Sequence, residues 1–183
     1  MKIGTPMTEQ HDINPNDPVR VTSDPEMVEK LHDVIDGMDV AMVSTRDSSD
    51  PNGRLTSRPL STQRQEDTGD VLFLTRRSSA FVRDILADPK VNVAYASKSA
   101  WVSLAGTAEV VEDRGLVAEL WSKGADMFMD GGPDNPDNIV VRVTGDTAEL
   151  WGGESIVGAA VSMVKAVTGS KGDDEGATVV DLD

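Results

Sequence analysis

Seven short runs of residues set the fold of this chain: Val40 to Thr45, Leu55 to Gln63, Val71 to Thr75, Val91 to Ala96, Trp101 to Val111, Ile139 to Thr144 and Thr147 to Trp151. Each is apolar or alternates apolar with polar, and each is rich in Val, Leu, Thr or Trp, the pattern of a strand with one face buried. The links between them carry turn chemistry. Asp50-Pro51-Asn52-Gly53 holds an Asn-Gly pair suited to the positive φ angles of a tight hairpin, and Thr144-Gly145-Asp146 reads the same way. Successive strands are expected to pair antiparallel, and a sheet this wide hides its edges by closing into a β-barrel.

Helices interrupt the strands at definite places. Asp24-Pro25 is an N-cap followed by proline at the first helical position; Met27, Val28, Leu31, Val34 and Ile35 then share a face, and Gly37 is suited to close the helix in a left-handed conformation. Ser78 or Ser79 caps a second helix carrying Phe81, Val82, Ile85 and Leu86, which stops at Asp88-Pro89. Asp113 caps a third with Leu116, Val117, Leu120 and Trp121, and a fourth is predicted from Glu154-Ser155 to Gly169. Lys123 to Asp137 reads as a Gly/Asp/Pro loop, whose Met127, Phe128 and Met129 suggest contact with another subunit. Residues 1–23, punctuated by Pro6, Pro15 and Pro18, read as a flexible arm; residues 24–170 form one domain, and residues 171–183 an acidic tail.

Composition removes several functions. No cysteine is present, so thiolate metal sites and cysteine nucleophiles are out, and the chain suits a reducing cytoplasm. No apolar run is long enough to span a bilayer, and the N-terminus lacks a signal-peptide pattern. A net charge of −15 repels nucleic acid and anionic lipid, and suggests a salt-rich habitat. Only two histidines, His11 and His32, are present, which disfavours histidine-rich metal sites and His-based triads. The motifs G-x-S-x-G, G-x-x-x-x-G-K-[ST] and G-x-G-x-x-G are missing, and Asp126, Asp130, Asp134 and Asp137 do not have the spacing of an EF-hand.

What remains is the stretch from Leu55 to Ser79. Leu55-Thr56-Ser57-Arg58-Pro59-Leu60 and Val71-Leu72-Phe73-Leu74-Thr75-Arg76-Arg77-Ser78-Ser79 place arginines and hydroxyls on two strands and at a helix start. Guanidinium forks and the first N–H groups of a helix bind anions, and the apolar residues between them could flank a flat heterocycle. The competing reading is that these arginines are solvated partners of nearby carboxylates.

Taken in order, Met42-Val43-Ser44-Thr45, Ser57-Arg58-Pro59-Leu60, Leu72-Phe73-Leu74-Thr75, Asp88-Pro89-Lys90-Val91-Asn92-Val93-Ala94-Tyr95, Val102 to Val110, Glu119-Leu120-Trp121, Gly131 to Asp137, and Ala148-Glu149-Leu150-Trp151 resemble the pyridoxamine 5'-phosphate oxidase-like FMN-binding split barrels, in particular the bacterial general stress proteins. The resemblance runs from about Pro25 to the C-terminus. It implies a mainly β fold, a six-stranded antiparallel split β-barrel with peripheral helices, which forms a cytoplasmic homodimer with FMN between subunits. In that reading Arg58 meets the phosphate or ribityl end, Pro59 and Leu60 back the isoalloxazine, and Leu74 and Thr75 add main-chain and hydroxyl contacts. Arg76, Ser78 and Ser79 lie at the phosphate, and Trp121 approaches from the other subunit, its competing role being ordinary core packing. Trp101 and Trp151 read as core or interface residues.

The departures are specific. Phe81 stands where the family usually has a phosphate-binding lysine, with Arg76, Arg77 and Arg83 as candidate substitutes; Thr56 replaces the first arginine of Arg-Ser-Arg-Pro, and Phe128 a frequent tryptophan. The C-terminal substrate-holding signature of true pyridoxamine-phosphate oxidases is absent, so vitamin B6 oxidation is not expected. The sequence thus predicts an FMN-binding protein, a stress-related oxidoreductase in which the cofactor carries the chemistry. Its rivals are a deazaflavin-dependent reductase and a cofactor-free dimer; haem is disfavoured for want of a placed histidine.

Overall fold

The structure, a computed structural model, describes residues 19–21, 25–65, 70–152 and 178–181. Its elements are β1 (Val19–Val21), α1 (Pro25–Asp36), β2 (Val40–Arg46), β3 (Leu55–Gln65), β4 (Val71–Arg76), α2 (Ala80–Ala87), β5 (Lys90–Ala96), β6 (Ala100–Val111), α3 (Arg114–Leu120), α4 (Lys123–Phe128), β7 (Asn138–Gly152) and β8 (Thr178–Asp181). Strands β7, β4, β3, β2, β5 and β6 are neighbours in that order, and β6 pairs again with β7, closing a six-stranded antiparallel barrel. An antiparallel barrel is what the residue pattern predicts, and six strands are what the resemblance implies.

Two of the seven runs are one strand. Ile139 to Thr144 and Thr147 to Trp151 both belong to β7, and Thr144-Gly145-Asp146, read as a turn, is a bulge. Ala105 opposes Thr147 while Gly106 opposes Gly145, so Asp146 is the extra residue, and its carboxylate meets the Lys90 ammonium at 3.2 Å. Gly106 is required there because a Cβ would run into the Thr144 carbonyl oxygen. The bulge divides the work of β7. Its first half pairs with β4 and its second half with β8, which lies parallel to β1. Val19–Val21 and Thr178–Asp181 come from the segments read as arm and tail.

Other local expectations shift as well. Gly53 has φ +68°, but no non-glycine residue described has positive φ, so Asn52-Gly53 is not a mirror-image hairpin turn; residues 47–54 form a longer loop closed by Asp47 N–H on the Arg54 carbonyl at 2.8 Å. Gly37 is not left-handed; α1 ends with Met38 N–H on the Ile35 carbonyl. Asp24 and the helix predicted from Glu154 lie outside the described residues. Lys123 to Phe128, expected within a loop, is helical, capped by the Ser122 hydroxyl on Ala125 N–H.

Two apolar clusters hold the fold. Inward residues of the barrel, among them Val43, Phe73, Val93, Tyr95, Leu104 and Val141, join Leu31 and Ile35 of α1 and Phe81, Val82 and Ile85 of α2. Leu72, Leu74 and Val140 point the other way and pack with Val117, Leu120 and Ala125 of α3 and α4. β4 is buried on both faces as a result. No helix among the described residues is long and apolar enough to cross a membrane.

Candidate functional site

Strands β3 and β4 run antiparallel with Thr62 opposite Phe73, which carries Arg58 to the end of the barrel where β4 passes into α2. There the Arg58 guanidinium is engaged. It donates through one terminal nitrogen to the Asp84 carboxylate at 2.5 Å and through the other to the Thr45 hydroxyl at 2.7 Å, and its charge lies 5.7 Å from the centre of the Phe81 ring. The Thr45 hydroxyl donates in turn to Asp84 at 3.3 Å, while the other Asp84 oxygen accepts from the Ser48 N–H at 2.9 Å and the Ser48 hydroxyl at 2.8 Å. The Arg58 side chain is 25% exposed and that of Asp84 only 2%. Burial pushes the Asp84 carboxyl upward, but the Ser48 and Arg58 hydrogen bonds and the Arg58 charge outweigh it, and the group is held below the ordinary carboxylate value.

The corner from Arg76 to Ala80 repeats this theme. Arg76 donates to the Asp130 carboxylate at 3.2 Å and to the Phe128 carbonyl at 3.1 Å, and Arg77 pairs with Glu112. The Ser78 N–H and hydroxyl both bind the Asp137 carboxylate, at 2.9 and 2.8 Å. Ser79, not Ser78, is the N-cap of α2, its hydroxyl accepting from Val82 N–H at 3.2 Å. Thr75 is nearly buried, opposite Ile139.

The remaining predicted residues separate. Pro59 is exposed and Leu60 packs on the barrel core, so the two lie on opposite faces of β3 and cannot back one ring together. Leu74 and Trp121 meet in the second cluster, and the Trp121 indole N–H donates to Asp126 of its own chain at 2.7 Å. Trp121 is half-buried against this cluster in its own chain. Met127 and Phe128 are largely exposed. A cleft of about 460 Å³ lined by Arg46, Ser48, Asn52 and Asp88 lies at the other end of α2.

The outer face of the barrel has a character of its own. Pro59, Met42, Ala94, Ser103 and Glu149 form one row across β3, β2, β5, β6 and β7; Ser57, Ser44, Asn92, Ala105 and Thr147 form the next. Trp101 faces Trp151 beside them, and both indoles are partly exposed, so neither is a core residue. Serine and asparagine within the face satisfy each other, Ser44 with Ser57 at 2.7 Å and Asn92 with Ser103 at 2.8 Å. In a chain of net charge −15, Glu149 is the only charge in these two rows.

A family model described as pyridoxamine 5'-phosphate oxidase like matches residues 26–174. The chain belongs to the pyridoxamine 5'-phosphate oxidase-like family. Protein bli-3 of Neurospora crassa is 32% identical over 143 residues, covering 72% of this chain and 68% of that protein. Among solved structures, general stress protein 26 of Bacillus anthracis superposes with a TM-score of 0.61 at 22% identity, covering 68% of this chain and 93% of that one. The general stress FMN/FAD binding protein of Xanthomonas citri gives 0.60 at 24% identity, covering 72% and 92%. These structures share the split-barrel fold.

Asp84 and its partners Thr45 and Ser48 were not found by sequence reasoning. The available signal was the position of Asp84 between Phe81 and Ile85, on the apolar face of an amphipathic helix, where an acid needs a partner.

Proposed function

We propose that this protein is a flavin-binding homodimer, with FMN as cofactor and an oxidoreductase role in which the flavin supplies the redox chemistry. Family membership supports the flavin, and the observation that carries the dimer is the outer face of Pro59, Met42, Ala94, Trp101 and Trp151: nearly uncharged and partly apolar on a strongly acidic molecule. A second copy related by a two-fold axis would cover that face, and a flavin ring bound at its rim would meet Pro59 and the indoles. The residues present fit the phosphate of the cofactor poorly. Phe81, at the usual lysine position, is buried, and Arg58, Arg76 and Arg77 each hold a carboxylate.

That same observation favours the second reading, a dimer that has kept the barrel and lost the cofactor. A deazaflavin, with its longer anionic tail, would have to displace the same carboxylates. Two measurements test the proposal. Size-exclusion chromatography with light scattering should give twice the 19.5 kDa chain mass, and Met42→Glu should shift it to monomer. Titration with FMN, followed by tryptophan fluorescence, should saturate; a protein that is dimeric and unresponsive to any flavin is the cofactor-free one.

A further inference from the structure

We infer that this chain has replaced the cofactor phosphate with its own carboxylates, so that its site takes the flavin ring with little preference for a 5'-phosphate, and that Asp84 is the residue that sets this specificity. The inference rests on the flavin reading above and refines it.

Anion recognition at a strand-to-helix corner needs cations, hydroxyls and backbone N–H groups free to turn toward the anion. In this protein most of those groups are occupied. Arg58 is bound to Asp84 and Thr45, Arg76 to Asp130, and Arg77 to Glu112, while the Ser78 hydroxyl and N–H are both bound to Asp137. The Ser79 hydroxyl caps Val82. Each of these carboxylates takes donors that a phosphate oxygen would need.

The four pairings are unequal. Arg76, Asp130, Arg77 and Glu112 are exposed, and such pairs exchange readily with solvent and ligands. The Arg58–Asp84 pair is different: Asp84 is buried, makes four hydrogen bonds, and is fixed on the helix that also carries Phe81 into the core. Turning Arg58 toward a phosphate would leave the Asp84 charge buried beside an incoming anion, where like charges repel in a medium that screens them poorly. Among the described residues, Arg83 is the arginine of α2 without a carboxylate partner, and it is exposed.

The test is a comparison of riboflavin with FMN on the full chain, read by tryptophan quenching. The dissociation constants should agree within about threefold, since one charged hydrogen bond to phosphate would separate them by roughly tenfold or more. An FMN preference of about tenfold or greater means that the phosphate is held, through Arg83 or by displacement of Asp84, and overturns the inference while leaving the flavin reading standing. Binding of neither flavin overturns both. Asp84→Asn keeps an acceptor for Ser48 and frees the Arg58 charge; it should tighten FMN about tenfold and leave riboflavin unchanged. Equal tightening of both ligands would remove Asp84 as the determinant, and if the variant does not fold, the ratio measured on the unaltered protein decides alone.

Discussion

Asp84→Ala is the sharpest test of how α2 is fastened to the barrel. The substitution deletes four acceptor contacts at once: two from Ser48, one from Thr45 and one from Arg58. It strands a guanidinium whose side chain is 25% exposed. Breaking a buried pair costs about 3–5 kcal/mol, and because Arg58 keeps partial access to water we expect the lower end, about 3 kcal/mol. For a chain of this size that is a fall in Tm of about 6–12 °C. Asp84→Asn retains the Ser48 acceptor and should cost about 1.5–3 kcal/mol, the scale of a charged hydrogen bond. Its deficit should also depend on pH with a definite sign. The Asp84 carboxyl is held below its ordinary value, so its contribution is present above about pH 4 and is lost as pH falls through the depressed value. Urea unfolding at fixed protein concentration, followed by tryptophan emission, measures each variant. The double change Arg58→Met with Asp84→Leu removes both charges and should recover most of the loss. A single Asp84→Ala cost below about 0.5 kcal/mol, or a double variant whose loss equals the sum of the singles, would refute the coupling of the two charges.

Two further predictions concern the barrel. Tyr95 is the sole tyrosine, buried with its hydroxyl 2.9 Å from Thr62, and burial pushes its pKa up to about 12 against a small opposing effect of the Thr62 hydrogen bond. Tyrosinate absorbance should stay flat well above the ordinary tyrosine range, and stability should fall as pH rises past about 10, where the unfolded chain ionises first; a normal titration of folded protein would contradict the burial. Gly106→Ala should destabilise by more than about 2 kcal/mol, because its methyl would overlap a backbone carbonyl that cannot rotate away; a cost below about 0.5 kcal/mol in the same urea assay would place the β6–β7 bulge elsewhere.

The strands of the barrel were legible because side-chain alternation follows directly from the pleat. Val40 to Thr45 and Trp101 to Val111 alternate as β2 and β6 do, with the even and odd positions sorted between core and surface. What alternation does not carry is what happens between strands. Gly145 followed by Asp146 has the chemistry of a turn, yet the same conformational freedom serves a bulge, and only the pairing with Gly106 distinguishes them. Lys123 to Phe128 escaped because Gly124 and Asp126 weaken helix propensity, which the Ser122 cap and burial of Ala125 offset. At the candidate site the arginines and hydroxyls stand out in the sequence, but the partners of Arg58 and Ser78 are 26 and 59 residues away in the chain. Those arginines pair with Asp84, Asp130 and Glu112.

Salt separates the two kinds of pairing at this corner. Arg76–Asp130 is exposed at both ends, and in molar salt, where the screening length is about 3 Å, it contributes close to nothing. In Arg58–Asp84 the carboxylate is buried and the guanidinium lies beside Phe81, so salt screens the pair much less. The net charge of −15 meanwhile makes the compact state repel itself in dilute buffer, so Tm of the unaltered protein should climb by many degrees toward molar salt. Against that rising baseline, the Tm deficit of Asp84→Asn should stay constant and that of Arg76→Ala should vanish. A deficit for Asp84→Asn that shrinks in parallel with Arg76→Ala would mean that water and ions reach the pair, and burial could then not be what keeps Arg58 on Asp84.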